Sequence, residues 1–214
     1  MSNAYNDKKI VVTIARQYGS GGRSIGKELA QAMGVNYYDK ELITLAAKKH
    51  GYSEDVFERS DEKATHSFLY SLAMGAYSME GHYVHWGDAA PTMNDQVFNL
   101  QVDIIKELAQ NESCVIIGRC ADYILKDNKN VVSVFISADM DVRVKTITER
   151  DGIKEKQEEV IRKTDKRRSN YYSFHTEQQW GDSKNYDLCL NVSELTHQNV
   201  VDIILNYIKV KFFS

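Results

Sequence analysis

The segment VVTIARQYGSGGRSIGKELAQAMG, residues 11–34, limits the possible folds more than any other part of the chain. An apolar β-branched run, a turn with three glycines and a helix-like repeat follow one another without a spacer. Ile25, Leu29 and Met33 recur at i, i+4 and i+8, and Gly34 stands where a helix stops. A strand that passes through a glycine-rich turn into an amphipathic helix is the first unit of mononucleotide-binding α/β sheets. Gly19, Gly21 and Gly22 tolerate positive φ, so successive backbone N–H groups of the turn can point into one concavity. The first turn of the helix adds its own free N–H groups and the positive end of its dipole. The alternative reading is a purely structural strand-to-helix turn.

The P-loop pattern G-x-x-x-x-G-K-[ST] is met here with two departures. Gln17 stands at the first glycine and Arg23 at the lysine. Arg23 still supplies a cation, in a larger planar form. Ser24 keeps the hydroxyl that would meet the Mg²⁺ of Mg-ATP. The ATP-binding candidates are therefore Gly19, Ser20, Gly21, Gly22, Arg23 and Ser24, with Ser24 as the metal contact.

Four further apolar runs read as strands: 35–38, Cys114–Ile117, 131–136 and 186–190, joined to a first strand at 10–15. Helical repeats separate most of them. Residues 42–51 carry one, and the run from Val97 to Leu108 another, with the only proline, Pro91, near its start. A third covers 139–150 and stops at Gly152, and a last one follows NVSELT and runs through Ile208. Strands alternating with helices predict a five-stranded parallel sheet flanked by helices. Residues 52–90 break the alternation and read as an inserted helical lobe. Residues 154–182 are long, polar and charged, and read as a lid arm, an exposed helical hairpin with little apolar anchoring. At 214 residues the chain suits one domain over 9–214. Residues 1–8 begin MSNA, resemble a vector-derived scar, and are expected to be tag-like, disordered and outside the fold.

The net charge of −3 gives no electrostatic case for nucleic acid as a partner. No apolar run reaches the ~18 residues that a membrane span needs, and the polar start lacks a signal-peptide core. Three cysteines without CxxC spacing, Cys114, Cys120 and Cys189, read as free thiols. A cytoplasmic location is the expectation.

Ligands of parallel sheets bind beyond the carboxyl ends of the strands. Arg119 in CVIIGRC follows such an end. A cation at a helix start opposes the helix dipole, so an anionic partner explains it better than solvent does. Asp39 in NYYDKELI also follows a strand and reads either as a helix N-cap or as an acceptor contact. In RKTDKRR, Arg162, Asp165 and Arg168 fall near one helical face. That face is either solvated or is an arm whose arginines neutralise a transferring phosphoryl group, with Asp165 holding a guanidinium in register.

The glycine loop with YYDKELI, IIGR, DKRR and NYDLCLNVSEL, in that order, resembles the cytidylate kinase-like family of P-loop nucleoside monophosphate kinases. The resemblance covers roughly residues 9–208. It implies a three-layer P-loop NTPase fold and transfer of the ATP γ-phosphate to a nucleoside monophosphate, CMP or dCMP first. The catalytic group would be Arg23, Arg119, Arg162 and Arg168, and Asp39, Arg119 and Asp165 would meet the acceptor. ATP with Mg²⁺ and the acceptor are the implied partners, the adenine lying near NVSEL; an oligomer is compatible. The alternatives are a regulatory module that binds a nucleotide or phosphometabolite without turnover, and a kinase for another small molecule. Authentic cytidylate kinases have Lys in the loop and Gly-Arg-Asp after the third strand. Here Arg23 and Cys120 replace them, with Asp122 two positions on. Trp180 is read as either a base-stacking ring or a core residue.

Overall fold

A computed structural model describes residues 4–39 and 93–214. The readings of a helix at 42–51, of the 52–90 lobe, of Pro91 and of any helix capped by Asp39 lie outside those residues.

Five strands form one parallel sheet: β1 (Val11–Arg16), β2 (Asn36–Tyr38), β3 (Cys114–Ile117), β4 (Val131–Ser137) and β5 (Leu188–Asn191). Their order across the sheet is β2-β3-β1-β4-β5. β1 pairs with β3 from Val11↔Cys114 and with β4 from Val11↔Val131, so the first strand is also the central one. Among the described residues seven α-helices accompany them: α1 (Ala4–Lys8), α2 (Gly22–Met33), α3 (Met93–Asn111), α4 (Ala121–Ile124), α5 (Met140–Asp151), α6 (Gln157–Thr176) and α7 (His197–Phe213).

The pleat assigns alternate residues to opposite layers. Val12, Ile14, Val115, Ile117, Val132 and Val134 meet Ile25, Leu29 and Met33 of α2 and Val200, Ile204 and Ile208 of α7. Val11, Cys114, Ile116 and Val131 meet Ile104, Ile105 and Ala109 of α3 with Ala121 and Leu125 on or beside α4. Burial on both faces explains why β3 reads as an unbroken apolar run and β1 as a nearly continuous one, with Thr13 buried among its neighbours. Gly34 ends α2 at φ 64° and Gly152 ends α5 at φ 69°, as the sequence predicts. The strands deviate only at their ends, β5 most, starting at Leu188.

Two expectations are corrected. Residues 4–8 are helical rather than disordered. Tyr5 packs edge-on against Phe213 at 5.9 Å, and its carbonyl accepts from Ser113 Oγ at 2.6 Å. The arm is not a hairpin but the single 20-residue helix α6, with Ile161 and Tyr172 buried. Among the described residues no helix is long and apolar enough to cross a membrane. Cys114 and Cys120 are buried free thiols, whereas Cys189 is exposed on the edge strand β5.

The layer contact predicts an asymmetry along α2. Leu29→Ala empties a fully buried position and should cost about 3 kcal/mol in urea denaturation. Lys27→Ala, on the exposed face, should stay within about 0.5 kcal/mol of wild type.

Candidate active site

Helix α2 starts at Gly22, so Gly22, Arg23 and Ser24 form its first turn, whose amides have no acceptor within the helix. Gly19 (φ 81°) and Gly21 (φ 78°) take the left-handed conformations that curl the loop. Gly22 does not, which corrects its expected role. It is needed for space, because a Cβ there would lie 2.7 Å from Arg16 Cβ. Gln17, the residue at the missing glycine, has a job of its own. Its amide donates to the Ile136 carbonyl at 3.0 Å, and its side-chain oxygen accepts from Ala138 N at 3.2 Å. Ser20 turns its hydroxyl inward to the Gln17 carbonyl at 2.9 Å. His197, first residue of α7, faces Gly21 from outside, with Nδ1 2.8 Å from Glu28 Oε1.

The loop is held from behind through Tyr18. Its amide donates to Asp165 Oδ1 at 2.8 Å, its carbonyl accepts from Arg143 Nε at 2.8 Å, and its hydroxyl bonds Asp151 Oδ2 at 2.7 Å. Arg143 and Asp165 also pair with each other, and Arg143 is 5% exposed. The guanidinium of Arg168 lies 5.6 Å from the Tyr18 ring centre, and its Nη1 donates to the Arg16 carbonyl at 3.0 Å. Asp165 therefore anchors the loop, which corrects its expected place among the acceptor contacts. It does hold a guanidinium, but that of Arg143 on α5. The arm is not weakly anchored either, since Asp165 and Arg168 fix the middle of α6 to the loop. Arg162 is not brought into the site: it is exposed and pairs with Glu158 one turn away at 3.3 Å.

In front of the loop, Arg23 Nε lies 2.6 Å from Asp39 Oδ2, and Arg16 Nη2 3.7 Å from Asp39 Oδ1. Asp39 is almost fully buried at the end of β2. β3 ends in three successive left-handed residues, Gly118 (φ 68°), Arg119 (φ 62°) and Cys120 (φ 55°). Such conformations cost a non-glycine residue roughly 1–2 kcal/mol each, and strain of this kind gathers at functional sites. The turn lets the Arg16 guanidinium lie on Gly118, where a Cβ would be 2.4 Å from Nη1. Arg16, Arg119 and Arg168 line a pocket there with Asp122, Tyr172 and Trp180. Trp180 packs edge-on against Phe135 at 5.2 Å, as the core reading expects, and it also lines the pocket.

Asp122 is 7% exposed, and its Oδ2 accepts from the Tyr172 hydroxyl at 2.7 Å. Burial pushes its pKa up to about 6, against the opposing hydrogen bond from Tyr172 and backbone amides. Sequence reasoning missed Arg16, Tyr18 and Arg143 as site residues. Arg16 carried a signal, as the last strand residue before the loop. Arg143 carried none, being an arginine within a charged helix.

Two stability outcomes follow. Asp165→Ala leaves the Arg143 guanidinium buried without its carboxylate and should cost about 3 kcal/mol, while Arg143→Met with Asp165→Leu together should cost less. For Asp122 the folded pKa of about 6 lies above the ordinary 3.8, so the folded state holds its proton more tightly. Stability should fall as pH rises from about 4 to about 6 and then level off. Asp122→Asn removes this fall. Urea denaturation at several pH values should show the variant gaining on wild type across that window, by up to about 3 kcal/mol.

Comparison with known proteins agrees with this geometry. The model of the cytidylate kinase-like family matches residues 11–194. A cytidylate kinase from Methanosarcina barkeri (strain Fusaro / DSM 804) is 24% identical over 199 residues, 90% of this chain and 93% of that protein. The crystal structure of an uncharacterized protein from Eubacterium ventriosum ATCC 27560 is 30% identical, with a TM-score of 0.69 over 94% of this chain and 98% of the other. The shikimate kinase from Acinetobacter baumannii, solved in complex with shikimate, is 13% identical but shares the fold, with a TM-score of 0.53 over 96% of each chain. The parallel sheet, the glycine loop after its central strand and the flanking helices are those of the P-loop kinase fold. With the family match spanning the loop, the arginine pocket and β5, the chain belongs to the cytidylate kinase-like family.

Proposed function

We propose that the protein is an ATP-dependent phosphotransferase that passes the γ-phosphate to a nucleoside monophosphate, with CMP or dCMP as the first acceptors to test. One observation carries the reading. The glycine loop, with the first turn of α2, opens at the same end of the sheet as a pocket whose described lining includes Arg16, Arg119, Arg168 and Asp122. Ligands of parallel sheets bind beyond the carboxyl ends of the strands, and an arginine fork placed there suits a phosphate.

In this reading the loop amides and Arg23 hold the ATP phosphates, and the nucleoside half lies toward residues 191–196 and His197. Arg119, fixed by the left-handed turn, holds the acceptor phosphate. Arg168 sits on α6 between the loop and the pocket, suited to the charge that develops between donor and acceptor. The carboxylate of Asp39 is occupied by Arg23 and Arg16, which leaves it a poor choice as a general base. An acceptor that is already anionic needs none, so catalysis rests on position and charge neutralisation. Among the described residues no three His, Cys, Asp or Glu side chains group as metal ligands. That suits Mg²⁺ arriving with ATP, which keeps waters and phosphate oxygens and takes few protein ligands, here the Ser24 hydroxyl. Mg²⁺ would supply charge neutralisation at the ATP phosphates.

A coupled ADP-release screen with Mg-ATP against all nucleoside monophosphates tests the reading. Turnover that depends on CMP or dCMP is the expected result. ATP binding without acceptor-dependent turnover would favour a regulatory module. The arginines should separate kinetically. Arg23→Ala should weaken ATP binding roughly tenfold to a hundredfold in calorimetry, with Arg23→Lys retaining part of it. Arg119→Ala should raise the acceptor KM more than the ATP KM. Arg168→Ala should chiefly lower kcat, because its contribution grows in the transition state. Melting curves for each variant exclude simple unfolding as the cause.

A further inference from the structure

Two glycines in different elements clear space for one side chain, that of Arg16. A Cβ on Gly22, the first residue of α2, would lie 2.7 Å from Arg16 Cβ, and a Cβ on Gly118, after β3, would run into Nη1 of its guanidinium. Arg16 is the last residue of the central strand β1. Ile14 pairs with Ile117, so Arg16 and Arg119 both stand two residues beyond the last paired position of their strands. The stem of Arg16 therefore packs on the donor loop, and its head lies on the turn that carries Arg119. Its backbone is fixed as well, because its carbonyl accepts from Arg168 Nη1 at 3.0 Å. Asp39 faces two guanidiniums, with Arg23 Nε at 2.6 Å and Arg16 Nη2 at 3.7 Å. The two cations differ in setting: the Arg23 side chain is 53% exposed and that of Arg16 16%. Arg16 is thus a largely buried cation that lines the pocket at the carboxyl end of the central strand, where a phosphate oxygen suits its fork.

We propose that Arg16 is a catalytic residue whose guanidinium bridges the ATP γ-phosphate and the acceptor phosphate during transfer. This rests on the nucleoside monophosphate reading above and adds a residue to it. An acceptor phosphate oxygen forms a bond to the γ-phosphorus while the bond from that phosphorus to the β,γ-bridging oxygen breaks. The bonding pair leaves with the β-phosphate, so ADP and a nucleoside diphosphate result and no proton moves. Negative charge is then shared by the oxygens between the donor loop and Arg119, the interval that Arg16 spans. A planar fork can face both phosphates at once, which a point charge cannot. Its place on a strand end, with glycines on both sides and Asp39 as a positioning residue, holds that charge ready before the reaction. Arg168 reaches the same interval from α6, and Arg16 is its counterpart on the sheet.

The test sets Arg16→Met and Arg16→Lys, in the full chain, beside wild type. Steady-state kinetics with the best nucleoside monophosphate gives kcat and both KM values. Calorimetry gives the affinity for Mg-ADP alone, and for Mg-ADP with aluminium fluoride and that acceptor, where the fluoride stands in for the phosphoryl group between its two oxygens. Arg16→Met should lower kcat roughly hundredfold to thousandfold and weaken the aluminium fluoride complex in proportion. Its Mg-ADP affinity and both KM values should stay within about threefold of wild type. Arg16→Lys keeps a cation but loses the fork, and should lose at least about tenfold in kcat. An Arg16 that only packs would act through stability: the melting temperature and the Mg-ADP affinity would fall together, and the aluminium fluoride complex would keep its advantage over Mg-ADP. That retained advantage, or a kcat in Arg16→Lys equal to wild type, overturns the proposal, and the lysine variant decides the case if Arg16→Met does not fold. If wild type turns over no nucleoside monophosphate but another acceptor, the reading above has failed, and the same two variants judge Arg16 on that acceptor. If no acceptor is turned over, the reading and the catalytic part of Arg16 are both overturned.

Discussion

The Arg143–Asp165 pair is the contact on which the active end of the molecule depends. It joins α5 to α6, and both partners then bond the backbone of Tyr18, one at its carbonyl and the other at its amide. A glycine-rich turn is conformationally loose in isolation, because glycine loses more freedom on ordering than any other residue. The pair supplies the order that the turn lacks. Gly19 is packed so closely against Arg143 that a Cβ would come within 2.8 Å of its carbonyl oxygen. The loop is thus fitted to α5 as well as bonded to it. α6 joins this core rather than hanging over it.

A second constraint operates at the end of β3. Three consecutive left-handed residues turn the chain sharply, two of them without the excuse of being glycine. The result places Arg119 at the pocket and Asp122 below it, with Arg16 lying over Gly118. Asp122, two positions beyond Cys120, lines the pocket. The strained turn, the destabilising buried acid and the crowd of arginines meet in one place, where local stability is given up for geometry.

Much of this was legible beforehand. The run Cys114–Ile117 is fully buried and appears as a strand over those same residues. Gly34 and Gly152 end their helices because only a residue tolerant of positive φ closes a helix that way cheaply. Gly19, Arg23, Ser24, Asp39 and Arg119 were picked out because strand ends and helix starts are marked locally. Arg162 and Asp165 were grouped with Arg168 by helical spacing alone. Spacing gives a shared face but not what that face meets. Arg162 lies two turns before Arg168 and reaches solvent, while Asp165 turns to the loop.

The sequence by itself determined the alternation of strands and helices, the parallel sheet, and the phosphate-sized turn after the first strand. These follow from periodicity, glycine placement and β-branched runs, all properties of neighbours in the chain. Only the tertiary structure decided which charges oppose each other. Tyr18 meets Asp165 across 147 residues, and Tyr172 meets Asp122 across 50. An ion pair or a buried hydrogen bond depends on where separate elements dock, and docking is set by the packing of whole helix faces on the sheet. The same arginine can therefore be a solvated surface cation or the clamp of a phosphate loop, with no difference in its local sequence.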